Sequence, residues 1–458
     1  MFTTAPRWAF SRRALLRSTS CGFGYLALAD LCARAAAADV PNPLAARPPH
    51  FRARAKRVIF LFMAGAPSHV DTFDYKPRLQ TDDGQPAGGP ANQRKYLKSP
   101  FKFSQHGQSR LWLPETLPNL ARHADELCVL NGMYTDLPAH AQATVEMHTG
   151  NFRFLRPSMG AWMLYGLGTE NTNLPGFITI HPAVGPANYG SAFLPAAFQG
   201  TRIDASGQGR GGGVADISNP RVSAELQRRQ LDLLATLNRE RLQRDQVNPA
   251  LEGIIESYEL AFRMEGALPS VMDVSRETKA TQEAYGIGET GTDRFGRQCL
   301  LARRFAEAGV RFIEIGTGGW DHHVNLRSRL TANCHEIDKP IAGLLDDLKK
   351  RDMLKDTLVV WGGEFGRTPG GQNRDGRDHD AAGFSMWMAG GGVKKAHRQG
   401  KTDEHGGAAI DGKMHINDLH ATILYLMGLD HEKLTYRYSG RDYRLTDLAG
   451  KVAKEIIA

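Results

Sequence analysis

The segment GTGGWDHHVN (residues 316–325) sets a carboxylate and two imidazoles side by side, Asp321, His322 and His323, directly after the apolar run VRFIEI. Acid and imidazole without thiolate suit a borderline-to-hard divalent ion such as zinc, manganese or calcium. Such an ion polarises a phosphoryl or sulfuryl oxygen and lowers the pKa of bound water. Three other segments carry the same residue types. AGAPSHVDTFD (64–74) offers Ser68, His69, Asp71 and Asp74; GGEFGRTP (362–369) offers Glu364 and Arg367; GRDHDAAG (376–383) offers Asp378, His379 and Asp380. Asp321, His322, His323, Glu364, His379, Asp71 and His69 are therefore the candidate metal ligands. Each has a plainer reading. SHVDTF could simply cap a helix or turn, and an isolated histidine is more often a hydrogen-bonded loop or core residue, the reading given to His106, His123, His397, His405 and His431. Arg367 can grip a substrate oxyanion with two N–H groups, or it can pair with a carboxylate such as Asp378.

The elements that must position these groups are legible as six apolar runs: RVIFLFM (57–63), LCVLNGM (127–133), GFITIH (176–181), VRFIEIG (310–316), TLVVWGG (357–363) and FSMWMAG (384–390). Most are continuous rather than alternating, as expected of strands covered on both faces. Between several of them lie helical patterns, as in DRFGRQCLLARRFAEAG, IAGLLDDLKKRDML and HINDLHATILYLMGL. Alternating strands and helices predict an α/β fold with a mainly parallel sheet and helices on both faces. In such sheets ligands bind beyond the carboxyl ends of the strands. Three of the four polar segments directly follow an apolar run, and GRDHD directly precedes one. Residues 220–265 are charged, helical in pattern and free of strand signals, so roughly 185–290 reads as a helical insertion in a domain spanning 57–458. The glycine run GQGRGGGVAD (207–216) lacks the preceding strand and following Lys-Ser/Thr of a phosphate loop.

The N-terminus carries Arg12-Arg13, a short apolar stretch interrupted by Asp30, and an alanine run. That is the pattern of a twin-arginine export signal over residues 1–38, followed by a Pro- and Arg-rich linker at 39–56. Its apolar part is too short to span a bilayer comfortably. Cleavage near Ala38 leaves an exported periplasmic or extracytoplasmic protein with no stable membrane span. The first 38 residues hold five arginines and one aspartate, so half of the chain's formal net charge of +8 leaves with them. The remainder has no long basic block, which excludes a nucleic-acid footprint. Cys21 and Cys32 also leave. Cys128, Cys299 and Cys334 remain in apolar or helical settings and read as buried thiols.

DTLVVWGGEFG, RDHDAAGFSMWMAGGGVK, HINDLHATILYLMGLD and AHAQATVEMHTG (139–150) together resemble motifs of the alkaline phosphatase and sulfatase superfamily. More closely, SHVDTFD, MHTG, GGWDHH, WGGEFGRTP and LHATILYLMGLDH identify the chain as a member of a large bacterial family of twin-arginine-exported proteins with no assigned function, which belongs to that superfamily. The match runs from about residue 57 onward. It implies an alkaline-phosphatase-like fold and a metal-dependent hydrolase of phosphate or sulfate esters, acting on a small molecule or a polysaccharide. It also implies one metal site from Asp321, His323 (or His322) and His379, and another from Glu364 with His140 and Asp71. Counting back from Thr149-Gly150, the superfamily's nucleophile position falls on His140, as nucleophile, general base or ligand.

The departures are specific. The superfamily's first strand ends in a metal-binding Asp where this chain has Ala64 and Gly65. Its Asp-His pair becomes Glu364-Phe365, and no Cys-x-Pro-Ser-Arg is present. They leave a second expectation open: a non-catalytic periplasmic binding or assembly protein on the same fold.

Overall fold

The computed structural model describes residues 42–87, 94–182, 185–204, 223–245 and 249–458. The export signal and the body of the glycine run at 207–216 lie outside the described residues. Within the linker range, residues 42–56 form turns and bends without helix or strand.

All six apolar runs are strands of one sheet: β1 (Arg57–Met63), β2 (Leu127–Tyr134), β3 (Phe177–Ile180), β5 (Phe312–Thr317), β6 (Thr357–Gly362) and β9 (Phe384–Gly390). Three short strands extend it: β4 (Thr201–Ile203), β10 (His397–Gln399) and β11 (Met414–His415). The spatial order is β10-β2-β9-β6-β1-β5-β3-β4, with β11 also on β2. Every pairing is parallel except those of β9, which runs antiparallel to both β6 and β2. The expected α/β fold with a mainly parallel sheet is therefore present.

Helices α1 (His140–Thr149), α2 (Met159–Leu167), α5 (Asp293–Glu307), α6 (Leu326–Lys350) and α7 (Ile416–Leu426) cover the sheet. Buried apolar residues divide into two large clusters, one on each face. Ile59, Leu61 and Met63 of β1 belong to one, and Val58, Phe60 and Phe62 to the other. Burial on both faces is why the strand runs are continuous rather than alternating. The range 185–290 is not wholly helical. It includes α3 (Ala224–Asp245) and α4 (Pro249–Met272), but also the edge strand β4. Helix α6 begins well before the IAGLLDDLKK pattern and carries Pro340 inside it, so the proline does not set the helix start there.

A two-stranded hairpin, β7 (Gly366–Gln372) and β8 (Gly376–Asp380), hangs from the carboxyl end of β6. β1, β2, β5 and β6 all point their carboxyl ends the same way. The segments that follow them meet there, at the place an open α/β sheet offers a ligand.

Candidate metal centre

His140 opens α1 after β2. Asp321 and His323 lie in the loop after β5. Register on the hairpin sets His379 of β8 directly opposite Arg367 of β7. Residues from three separate stretches of chain thus arrive at one point. Asp321 Oδ1 stands 3.2 Å from His140 Nε2, 2.9 Å from His323 Nε2 and 3.3 Å from His379 Nε2. His323 Nε2 and His379 Nε2 are 2.9 Å apart.

The outer nitrogens explain how these imidazoles are oriented. His140 Nδ1 donates to Glu364 Oε1 at 2.6 Å, His379 Nδ1 to the Pro138 carbonyl at 2.9 Å, and His323 Nδ1 to the Gln372 amide oxygen at 2.5 Å. Each acceptor is an oxygen, so each Nδ1 carries the proton. Three Nε2 lone pairs then converge on a carboxylate oxygen. Without an ion only added protons relieve the repulsion, as at His140, whose protonation Asp321 favours; with an ion it is the usual metal-site pattern, in which the ring N–H facing away from the ion is held by an oxygen. Four donors at about 2.0–2.1 Å from one ion stand about 3.3 Å apart in a tetrahedron, close to the spacings here. His140, Asp321, His323 and His379 fit a single three-nitrogen, one-oxygen site. Their side chains are 30, 41, 30 and 21% exposed, so the centre opens to solvent.

Glu364 is not among the converging donors. It is buried, it accepts the His140 proton, and it accepts the Gly65 backbone N–H at 3.0 Å. The structure thus makes it the residue that orients His140 rather than a ligand. Gly65 explains the missing first-strand aspartate. Its φ is +107°, and a Cβ there would lie 2.7 Å from the Asp321 nitrogen. The backbone at Gly65 is therefore packed against Trp320 and Asp321, with no room for a side chain at that position.

The expectation for Arg367 is also corrected. This buried guanidinium donates from Nε to the Ala66 carbonyl (3.0 Å) and from Nη1 to the Arg377 carbonyl (3.4 Å). Its Nη2 donates to the Gly65 carbonyl (2.5 Å) and to Asp321 Oδ1 (2.6 Å). With four of its five N–H groups engaged, it holds Asp321 and has at most one N–H left for a substrate oxyanion, not a fork. The pairing alternative holds with a different acid, since Asp378 pairs with Arg94. Burial raises the Asp321 pKa, but the Arg367 hydrogen bond and charge, followed by His140, outweigh it and keep the carboxyl well below its usual range. Burial also works against protonation of His140, yet the bond and charge of Glu364 and the charge of Asp321 raise it above its ordinary value.

His69, Asp71 and His322 do not join the cluster. Asp71 is fully buried against Arg377, which donates at 2.6 and 3.1 Å, and Ser68 Oγ donates to the same carboxylate at 2.5 Å. His69 sits between the Gly406 carbonyl (2.7 Å from Nε2) and the Arg367 backbone N–H (3.4 Å from Nδ1). His322 points to Asn333 of α6 at 3.1 Å, and burial pushes its pKa down to about 4.

A second acid–imidazole group, Asp136, Glu146 and His415, had no signal in the sequence. There His415 Nδ1 accepts the Asn417 N–H at the start of α7. Its Nε2 therefore carries the proton toward Asp136 (3.5 Å) and Glu146 (3.9 Å). Burial and then Asp136 push Glu146 up to about 7. This is a helix cap backed by an acid pair, without an imidazole lone pair to offer a metal. Gln372 and the Pro138 carbonyl were also invisible beforehand, because a hairpin strand and a main-chain oxygen supply them.

The sequence profile of the family described as "Protein of unknown function (DUF1501)" matches residues 55–457. The chain belongs to this family. No curated protein matches the sequence. Among solved structures it is similar to the PsFucS1 sulfatase from Pseudoalteromonas sp., with 13% identity, a TM-score of 0.37 and coverage of 83% of this chain and 69% of that one. It is similar to the phosphonate monoester hydrolase from Silicibacter pomeroyi, with 11% identity, a TM-score of 0.35 and coverage of 81% and 73%. It is also similar to a mutant of TAB5 alkaline phosphatase, with 12% identity, a TM-score of 0.30 and coverage of 74% and 92%. Likeness at this level carries nothing about chemistry, which has to come from the site.

Proposed function

We propose that this protein is an exported, metal-dependent hydrolase of phosphate or sulfate esters, with one divalent ion held by His140, Asp321, His323 and His379. The observation that carries the reading is the set of three imidazoles whose Nδ1–H groups are all tied outward, so that three Nε2 atoms face Asp321 Oδ1. Imidazole-rich ligation favours zinc over manganese or calcium. Such an ion supplies Lewis-acid polarisation of an ester oxygen and activation of water.

The chain's own groups divide the remaining work. Glu364 keeps the His140 proton on Nδ1, and Gln372 and Pro138 do the same for His323 and His379. Arg367 keeps Asp321 ionised and aimed. His140, at the superfamily's nucleophile position, acts here as a ligand: both ring nitrogens are already committed. The substrate class extends to small-molecule or polysaccharide esters, and export rests on the N-terminal arginine pair. Among the described residues no helix is long and apolar enough to cross a membrane.

The departure of the nucleophile supports a second reading, a metal-holding periplasmic binding or assembly protein. Two measurements separate the readings. Metal analysis of protein purified from the periplasm should find one divalent ion per chain, and fewer than half an equivalent sinks both. Aryl phosphate and aryl sulfate assays on loaded protein should show turnover lost in Asp321→Ala. Loaded protein inactive on both leaves only the binding reading.

A further inference from the structure

Away from the metal centre, several of the most exposed large apolar side chains of the described chain meet in one patch. Phe154, Leu155, Tyr438 and Leu448 are 64, 71, 47 and 87% exposed. Phe154 and Leu155 lie on the loop between α1 and α2. Tyr438 lies on the hairpin Tyr436–Tyr438/Arg441–Tyr443, and Leu448 on the turn that follows. Their contiguity is visible in the contacts. Leu155 and Tyr438 line one groove of about 650 Å³ with Phe193 and Tyr436. Arg156 stands 5.8 Å from the Phe154 ring, 4.3 Å from the Tyr443 ring and 3.7 Å from the Asp447 carboxylate, next to Leu448.

Exposed apolar surface of this kind marks an interaction site. Its partner is indicated by what surrounds the apolar tips. Among the described residues, Arg153, Arg156, Arg437, Arg441 and Arg444 are opposed by three carboxylates: Asp447 pairs with Arg156 and Arg441, Asp442 with Arg437, and Glu432 with Arg444. Arg153 has a phenyl ring as its neighbour and no carboxylate among its contacts. Aliphatic and aromatic tips in front, with a surplus of guanidinium groups behind them, suit an anionic lipid surface. The tips enter the acyl boundary while the exposed guanidinium groups of Arg437 and Arg441 reach phosphate; Arg156, 11% exposed, stays packed against the rings. A hydroxyl-rich glycan gains little from leucine side chains that have no polar atom to offer.

We propose that this patch seats the protein peripherally on a membrane rich in anionic phospholipid. The attachment is independent of the metal centre, shares no residue with it, and needs no spanning helix.

The test is co-sedimentation of the purified protein with vesicles of phosphatidylcholine alone or mixed with phosphatidylglycerol. The bound fraction is expected to rise several-fold with phosphatidylglycerol and to fall as salt is added. It should drop to the phosphatidylcholine level in the Phe154→Ser, Leu155→Ser, Leu448→Ser triple variant, whose thermal midpoint should stay close to wild type because these side chains are already solvated. Phe154→Trp should show a blue-shifted emission with vesicles and quenching by brominated acyl chains. Failure of the wild type to bind phosphatidylglycerol vesicles overturns the proposal, as does triple-variant binding equal to wild type. Retention on an immobilised anionic polysaccharide without vesicle binding overturns it in favour of a glycan.

Discussion

Glu364→Gln tests whether Glu364 is a ligand or an orienting group. In the native site Glu364 Oε1 accepts from His140 Nδ1 at 2.6 Å, while both carboxylate oxygens face the Gly65 N–H at 3.0 and 3.3 Å. A glutamine of the same shape has one oxygen and one N–H2 group. Turned one way, its oxygen keeps both acceptances at the Oε1 position, but the negative charge that makes His140 a more basic ligand is gone. Turned the other way, an amide donor meets His140 Nδ1–H and the tautomer is no longer fixed. Loss of such an outer partner typically weakens metal binding by about 10–100-fold, which is about 1.4–2.7 kcal/mol. Competition of zinc between the protein and a chromophoric chelator measures this directly. The stoichiometry should remain one ion per chain and only the affinity should fall. Unchanged affinity would refute the orienting role. Loss of stoichiometric binding would show Glu364 to be a ligand after all, as the superfamily resemblance implies.

The buried partners give contrasting outcomes. Asp71→Asn should leave metal content unchanged but strand Arg377 in the core, costing about 3–5 kcal/mol of unfolding free energy; denaturant titration reads the loss, and a loss of metal in that variant would restore Asp71 as a ligand. Asp321→Ala should abolish stoichiometric metal binding by elemental analysis, and retained metal would dismantle the ligand set. Burial holds the His420 pKa down to about 4, so that the ring is neutral in the folded state at neutral pH. The unfolded chain binds its proton near pH 6.5, so the contribution is fully present above that pH and lost as pH falls toward 4. It amounts to about 3 kcal/mol. Chemical denaturation between pH 7 and 4.5 should show the fall, with a shallower slope in His420→Gln; an equal slope would assign the acid sensitivity to other groups.

Residue type and local pattern determined a good deal by themselves. Continuous apolar runs gave all six principal strands, since strands buried on both faces must be apolar throughout. The same runs located the polar segments that follow β1, β5 and β6. The types present at GGWDHH and GRDHD already limited the chemistry to acid and imidazole. Adjacency in sequence, however, does not say where a side chain points. Asp71 and His69 follow β1 toward the site but are held apart from the cluster by Arg377 and Gly406, because a buried acid requires a partner wherever the fold supplies one. His322 and His323 are neighbours of identical type, and only the position of Asn333 on α6 and of Gln372 on the hairpin separates them. The lone-pair direction of each imidazole was also beyond the sequence. It depends on oxygens contributed by Glu364, Gln372 and the backbone of Pro138, three partners at sequence distances from 49 to 241 residues. The sequence supplied which donors exist, and the packing of β2, β5, β6 and the hairpin decided which of them converge.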